Sequence, residues 1–336
     1  MPLYFVGLGL KGARSLTLEG AELLKLADRV YLDAYTTPIE PSLVAGLREL
    51  RGDLKLADRE FLEDGKALLE EARSSKVVVL SYGDPMIATT HESLATRARK
   101  AGIETRIIHN SSIVCSVCGE LGLHTYKVGK VVSVVGGRMG AVSAYFTLLR
   151  NLSQRLHTIM LLGFKGSEYL SPSEALASLL EVESKYRHGA IGEETSALVC
   201  SRIGMEGQRI VGGKVGSLLD EEFGPPPHTL VFPATLHFTE EEALSSLGIG
   251  VKGNEVPRLS ELLVRRYEKK TRAALKSLAT EKREGLSDLL ENVECYLDDS
   301  LRFLGEGKDE LALLAMGYAE GLLDSLRLLG ICEVEW

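Results

Sequence analysis

Three glycines, Gly7, Gly9 and Gly12, follow the apolar run Leu3–Val6, and a second turn, Gly83-Asp84-Pro85, follows the run Lys76–Ser81. A strand that ends in glycines lets backbone approach a ligand closely. A carboxylate on a Gly-Asp-Pro turn at a strand's carboxyl end stands over the crevice where open α/β sheets bind ligands, and Pro85 fixes the loop behind it. The glycines also spell G-x-G-x-x-G, the spacing of a dinucleotide fingerprint, and Asp33 lies roughly 20 residues on, where a ribose-binding acid would stand. That fingerprint needs its third glycine in the first turn of a helix. Here Ala13-Arg14-Ser15-Leu16-Thr17 intervene before the helical period Leu18, Ala21, Leu23-Leu24, Leu26-Ala27, with Thr17 as N-cap and Glu19 in the first turn. The sequence thus reads against a nicotinamide cofactor. The plain reading of the second turn is a strand-to-helix connection, with Asp84 satisfying backbone donors and Thr89 or Thr90 capping the next helix.

These turns need elements to position them. Short apolar runs at Leu3–Val6, Arg29–Asp33, Lys76–Ser81 and Glu104–Ile108 alternate with helical patterns at Leu18–Ala27, Pro41–Leu50, Asp64–Ser74 and His91–Lys100. Such alternation predicts βαβ units, a mostly parallel sheet, and a ligand site in the loops after Val6, Asp33, Ser81 and Ile108. From Ser112 to Ser246 the character changes. After an opening helix come runs at Val131–Val135, Thr158–Phe164, Ala197–Arg202, Arg209–Val215 and Thr229–Pro233, with helices at Pro172–Tyr186 and Thr239–Leu247. The pair Ala197–Arg202 and Arg209–Val215 reads as a hairpin, so this second sheet is mixed. Gly250–Pro257 reads as a linker. Beyond it Leu259–Ile331 is helical, with breaks at Gly305-Glu306-Gly307 and small residues Ala312, Ala315, Gly317, Ala319 and Gly321 available for close helix packing. The domains expected are 1–110, 111–249 and a helical bundle over 258–336.

At 336 residues, 45% hydrophobic and 26% charged, the chain has the composition of a soluble globular protein with more than one core. A net charge of −8 argues against nucleic-acid binding. No apolar run reaches membrane-spanning length, no signal peptide is visible, and five scattered cysteines suit a reducing cytoplasm. Cys115 and Cys118 form a C-x-x-C on a helix without further ligands nearby, so they read as buried helix cysteines and no metal site is expected. His91 and His124 read as helix-start and structural residues. The basic run Arg265, Arg266, Lys269, Lys270, Arg272, Lys276 reads as a solvated helix face.

Three stretches, Leu3–Leu10 with its following helix, Gly83–His91 and Ile107–Gly129, resemble the diphthine synthase branch of the tetrapyrrole-methylase-like class III methyltransferases. Gly122-Leu123-His124-x-Tyr126-Lys127-x-Gly129-Lys130 is characteristic of that branch, as is Phe223-Gly224-Pro225-Pro226-Pro227-His228 with Leu236-His237 behind it. The similarity spans residues 1–248, and the tail resembles a small archaeal helical domain of unknown function, which implies a fusion and an archaeal source. The resemblance implies a two-domain α/β fold, a parallel-sheet N-terminal domain and a mixed-sheet second domain with the cleft between them, followed by an all-α bundle. It implies a cytoplasmic homodimer that uses S-adenosylmethionine to methylate the amino group of a 3-amino-3-carboxypropyl arm on a histidine of translation elongation factor two, giving trimethylated diphthine. Its cofactor contacts fall on Leu10, Asp84, Ile87, Ser112, Ile113, Leu162, Ile203 and His228. It assigns no catalytic side chain, and it makes His228 a cofactor contact rather than a base.

The chain departs from the family at four places. Ser81-Tyr82 precede Gly83-Asp84-Pro85 where Pro is usual, Asn110-Ser111-Ser112-Ile113 replaces Ala-Pro-Ser-Ile, and Leu162-Gly163-Phe164 replaces Leu-Asp-Ile. Gly137–Phe146 replaces a Pro-rich segment after the fifth strand, with Ser143 and Tyr145-Phe146 keeping its helical part. These changes spare the cofactor side more than the acceptor side. Two other readings therefore stay open: a methylase of the same fold acting on a corrinoid or another small acceptor, and a homologue that binds but no longer turns over.

Overall fold

The computed structural model describes residues 2–36, 39–165, 168–278 and 286–331. The chain forms two compact units, one of Met1–Asn151, Arg155–Arg187 and Ile191–Asn254, the other of Leu152–Gln154, His188–Ala190 and Glu255–Trp336.

The first unit holds two five-stranded sheets. In the first, β1 (Leu3–Gly7), β2 (Arg29–Asp33), β3 (Lys55–Ala57), β4 (Val77–Ser81) and β5 (Thr105–Ile108) run parallel in the order β3-β2-β4-β1-β5. Alternate side chains of a strand face opposite sides, and both sides are covered here. Leu3, Phe5, Val77 and Val79 enter one core; Tyr4, Val6, Val78 and Leu80 enter the other. That is why β1 and β4 read as unbroken apolar runs. The helices are α1 (Leu18–Leu26), α2 (Pro41–Leu50), α3 (Arg59–Asp64), α4 (Lys66–Ser74) and α5 (His91–Lys100). Thr17 caps α1 as expected, its hydroxyl accepting from the Gly20 amide at 3.0 Å. The sequence did not show β3, a three-residue edge strand of which only Ala57 is buried. It also missed α3: the helical pattern at Asp64–Ser74 is α4, and Gly65, left-handed at φ 60°, separates it from the Asp58-capped α3.

The second sheet has the order β11-β10-β12-β7-β6, from β6 (Val132–Val134), β7 (Thr158–Leu162), β10 (Ser196–Ser201), β11 (Arg209–Lys214) and β12 (His228–Phe232). Only β6 and β7 pair in parallel, and β10–β11 is the expected hairpin, so the sheet is mixed. A small hairpin, β8 (Phe164–Lys165) with β9 (Glu168–Tyr169), was not expected, because two-residue strands leave no periodicity. The helices of this half are α6 (Ile113–Leu121), α7 (Arg138–Ser153), α8 (Pro172–Tyr186), α9 (Val215–Leu218) and α10 (Phe238–Ser246). The linker is not loose at its start: Asn254 bonds the Ser196 amide and the Ser196 and Pro233 carbonyls at 2.8 Å each.

Glu240, on α10, is fully buried at the edge of this sheet where β7 begins. It accepts from the His124 and His237 amides at 2.8 Å each, from His157 Nε2 at 3.0 Å and from the Lys127 ammonium. His157 Nδ1 accepts from the Ala234 amide, so the ring is neutral with its proton on Nε2; burial pushes its pKa down.

The second unit packs α11 (Leu259–Leu278), α12 (Ser287–Gly305) and α13 (Asp309–Leu328) around Val264, Val293, Leu297, Met316 and Leu323. Of the small residues on α13, Ala312, Ala315 and Ala319 are buried, but Gly317 and Gly321 face outward, contrary to expectation. Residues 279–285, within the expected helical run, lie outside the described residues. No described helix is long and apolar enough to cross a membrane.

Candidate active site

The loops after β1, β4 and β5 are tied into one body. Gly9 and Gly83 exchange both backbone hydrogen bonds, at 3.1 and 3.0 Å, and both have positive φ (62° and 71°). A β-carbon on Gly7 would lie 2.6 Å from the Gly83 carbonyl oxygen, so only glycine lets the two loops cross. Asn110 Nδ2 donates to the carbonyls of Gly7 and Ser15, at 2.9 Å each. The glycines serve this crossing, not a pyrophosphate. Gly12 opens a 3₁₀ turn ending at Ser15, and the first turn of α1 is taken up by its own Thr17 cap. Asp33 is equally committed: its carboxylate accepts from Tyr35 and Thr36 and lies 3.3 Å from His91 Nε2. Burial raises its pKa, but the His91 contact and the hydrogen bonds from Thr36 and Tyr35 outweigh that and hold it low.

Asp84 sits at the centre of the crossing and is almost wholly buried. It accepts from the Met86 amide (2.9 Å), the Asn110 amide (3.1 Å) and His109 Nδ1 (2.8 Å). Thr89 bonds the His91 amide, while the Thr90 hydroxyl pairs with Tyr35. Ile87, on the same loop, is 40% exposed. Ser112 caps α6, its hydroxyl accepting from the Val114 amide at 3.3 Å, and Ile113 is the first residue of that helix.

The second sheet presents its own edge to this crossing. β7 and β10 end there and the antiparallel β12 begins there, so Leu162, Ile203 and His228 come together although they are far apart in sequence. His228 Nδ1 is 3.0 Å from Ser201 Oγ. Burial and then the Arg202 charge push its pKa down, against a backbone hydrogen bond at Gly224. Leu10 and Ile113 pack with Ile203 and Leu161 in one apolar cluster, which joins the two halves. The structure thus puts Leu10, Ile113 and Ile203 in one cluster, Asp84 and Ser112 on adjoining loops, Leu162 and His228 on the facing edge, and Ile87 at the rim.

Four residues here escaped the sequence reading. His109 directly follows β5, and the rule that ligands sit after the strands pointed to that loop. Glu40, Tyr82 and Arg202 left no signal, because nothing in sequence couples positions so far apart. Arg202, at positive φ (55°), donates to Glu40, to the Glu206 carbonyl (2.8 Å) and to the Pro226 carbonyl (3.2 Å). Its guanidinium holds the Glu40 pKa low. Tyr82 bonds the Leu10 carbonyl and is pushed up to about 12 by burial and by Glu40. Because Arg202 joins the loop before α2 to the Phe223–His228 turn, replacing it with methionine removes one of the ties between the two halves. Arg202→Met is expected to weaken cofactor binding roughly tenfold with the fold intact; equal affinity by calorimetry would remove Arg202 from the site.

Cys118 is buried but Cys115 is exposed, which corrects the expectation of two buried thiols. Among the described residues no His, Cys, Asp and Glu converge in a way that would hold a metal. A cavity of about 330 Å³ lies between Gly136-Gly137, Ala141-Val142 and the α8 face of Glu174, Ser178 and Glu181. None of the eight expected contact residues lines it; it borders the altered Gly137–Phe146 segment instead.

The family model of the tetrapyrrole (corrin/porphyrin) methylases matches residues 2–219, and that of a protein family of unknown function, DUF357, matches residues 266–332. The diphthine synthase of Methanocaldococcus jannaschii is 36% identical over 253 residues, 73% of this chain and 98% of that protein. The diphthine synthase of Methanosarcina mazei is 38% identical over 257 residues, 74% of this chain and 96% of its own length. A crystal structure of diphthine synthase superposes with a TM-score of 0.65 at 31% identity, covering 73% of this chain and 95% of that one. With its parallel first sheet, mixed second sheet and appended helices, the chain belongs to the tetrapyrrole methylase family, in its diphthine synthase branch, and carries a DUF357 region at its C-terminal end.

Proposed function

We propose that this chain uses S-adenosylmethionine to methylate the amino group of the 3-amino-3-carboxypropyl-histidine of translation elongation factor two, three times, giving diphthine. The observation that carries the reading is coverage: the match to the Methanocaldococcus jannaschii relative takes in 98% of that protein, so both halves of the cleft are included. The residues suit the cofactor. The Asp84 carboxylate holds the loops after β4 and β5 in place, Leu10, Ile87, Ile113, Leu162 and Ile203 supply apolar surface for a purine, and the crossed loops present backbone polar edges. When bound, the cofactor supplies a methyl group already activated on a sulfonium. What remains for the protein is positioning and exclusion of water. The Leu10–Ile113–Ile203 cluster packs the two halves together, and the Glu40–Arg202 pair ties them at a second point. The chain works as a homodimer in an archaeal cytoplasm, with the elongation factor as its protein partner.

The test is incubation of the purified protein with S-adenosylmethionine and elongation factor two bearing the unmethylated arm, with the modified peptide read by mass. A gain of three methyl groups is expected. No gain with cofactor binding intact would redirect the search to another acceptor.

A further inference from the structure

An amine at neutral pH carries a proton that must leave before its nitrogen can accept a methyl group, so an amine methyltransferase gains from a base at the acceptor. The buried histidines do not fit that task. His228 lies inside, against Ser201, and both nitrogens of His91 face acceptors, the Pro85 carbonyl at 3.0 Å and Asp33. Tyr82 is committed as a donor to Leu10.

His109 is placed differently. Its Nδ1 lies 2.8 Å from Asp84 Oδ2, and because that carboxylate also accepts the Asn110 and Met86 amides, Nδ1 is the donor. The proton on Nδ1 leaves the lone pair on Nε2. The ring is 68% exposed while its carboxylate is 4% exposed, so the pair has a buried end and an open end. Among the described residues Nε2 has no hydrogen-bond partner. A carboxylate that fixes a histidine tautomer also stabilises the imidazolium once the ring has taken a proton. The two loops that the pair joins carry Asp84, Ile87, Ser112 and Ile113, so the pair belongs to the segments that hold four of the expected cofactor contacts.

We infer that His109 is the general base for the acceptor amine, an inference that rests on the methyltransferase reading above. In the step, the N–H bond of the acceptor ammonium breaks, the proton passes to His109 Nε2, and the electron pair stays on the acceptor nitrogen. The imidazolium, held against Asp84, then releases the proton to water on its open side, which restores the base for the next round. Three rounds release three protons. The quaternary product has none left, so the base has no further work after the third transfer.

The experiment compares wild type, His109→Asn and His109→Ala in the elongation-factor assay, with S-adenosylhomocysteine affinity measured by calorimetry on the same proteins. The asparagine amide takes the place of Nδ1 and keeps a donor on Asp84, but it cannot accept a proton. Both variants are expected to lose turnover roughly a hundredfold, with S-adenosylhomocysteine affinity unchanged in His109→Asn, which keeps the hydrogen bond to Asp84, and added imidazole restoring part of the rate to His109→Ala. Wild-type turnover in His109→Asn would make the residue a loop tie and overturn the base. A parallel loss of affinity and turnover in His109→Asn would make it a cofactor contact and overturn the base as well. A wild-type protein that transfers no methyl group would overturn the methyltransferase reading and the base with it, an outcome distinct from the other two.

Discussion

Glu240→Ala is expected to lower the stability of the first unit by about 4 kcal/mol, since removing one partner of a buried ion pair leaves the other charge uncompensated. The substitution strands the Lys127 ammonium, two backbone amides and His157 Nε2. At the usual entropy of unfolding for a domain of this size, the melting temperature falls by roughly 10 °C. The effect depends on pH in a definite direction. Burial raises the Glu240 pKa, but the His237 amide, Lys127, the His124 amide and His157 together hold it at about 2 against an ordinary 4.5. A carboxylate depressed on folding contributes stability above its unfolded pKa and loses it as pH falls through the folded one. Wild type therefore loses this contribution between about pH 4.5 and 2. Glu240→Gln, which keeps the shape and removes the charge, flattens that part of the profile. Thermal melts across this range are the measurement, and a Glu240→Ala protein that melts with wild type would refute the role.

Asp84→Ala is expected to weaken S-adenosylhomocysteine binding about a hundredfold. All three hydrogen bonds that the carboxylate accepts come from the protein's own Met86 and Asn110 amides and His109, each contributing about 1.5–3 kcal/mol to holding the loops, so the effect on the ligand runs through the shape of the site. With it gone, the loops after β4 and β5 lose their common anchor. Calorimetry on folded protein tests this, and an unchanged dissociation constant would take Asp84 out of the cofactor site. Asp84→Asn retains one acceptor oxygen, so it should fall between wild type and alanine.

Much of the fold was written locally. Val77–Leu80 and Leu3–Val6 are apolar on both faces because both faces are covered, and that pattern needs no long-range information. Thr17 announced its helix, and Ser81–Pro85 announced a turn. What stayed hidden is what distance in sequence conceals: Lys55–Ala57 is a strand because a neighbour offers it hydrogen bonds, and Arg202 matters because Glu40 stands opposite. The stretch Gly122–Lys130, which marks the branch by sequence, surrounds Glu240 at the edge where β7 starts, whereas the expected cofactor residues lie where β7 ends. That signature records how the second sheet is held, and the cleft must be judged by other residues.

The reciprocal hydrogen bonds between Gly9 and Gly83, together with Asn110 reaching back to Gly7 and Ser15, give three loops the bonding pattern of a sheet. Segments of this kind open only with the strands beneath them, so their amides should exchange with solvent at the rate of the core. A ligand entering between such loops meets a surface whose shape was set when the chain folded. The ordering cost that a floppy binding loop imposes at each encounter has here been met in advance.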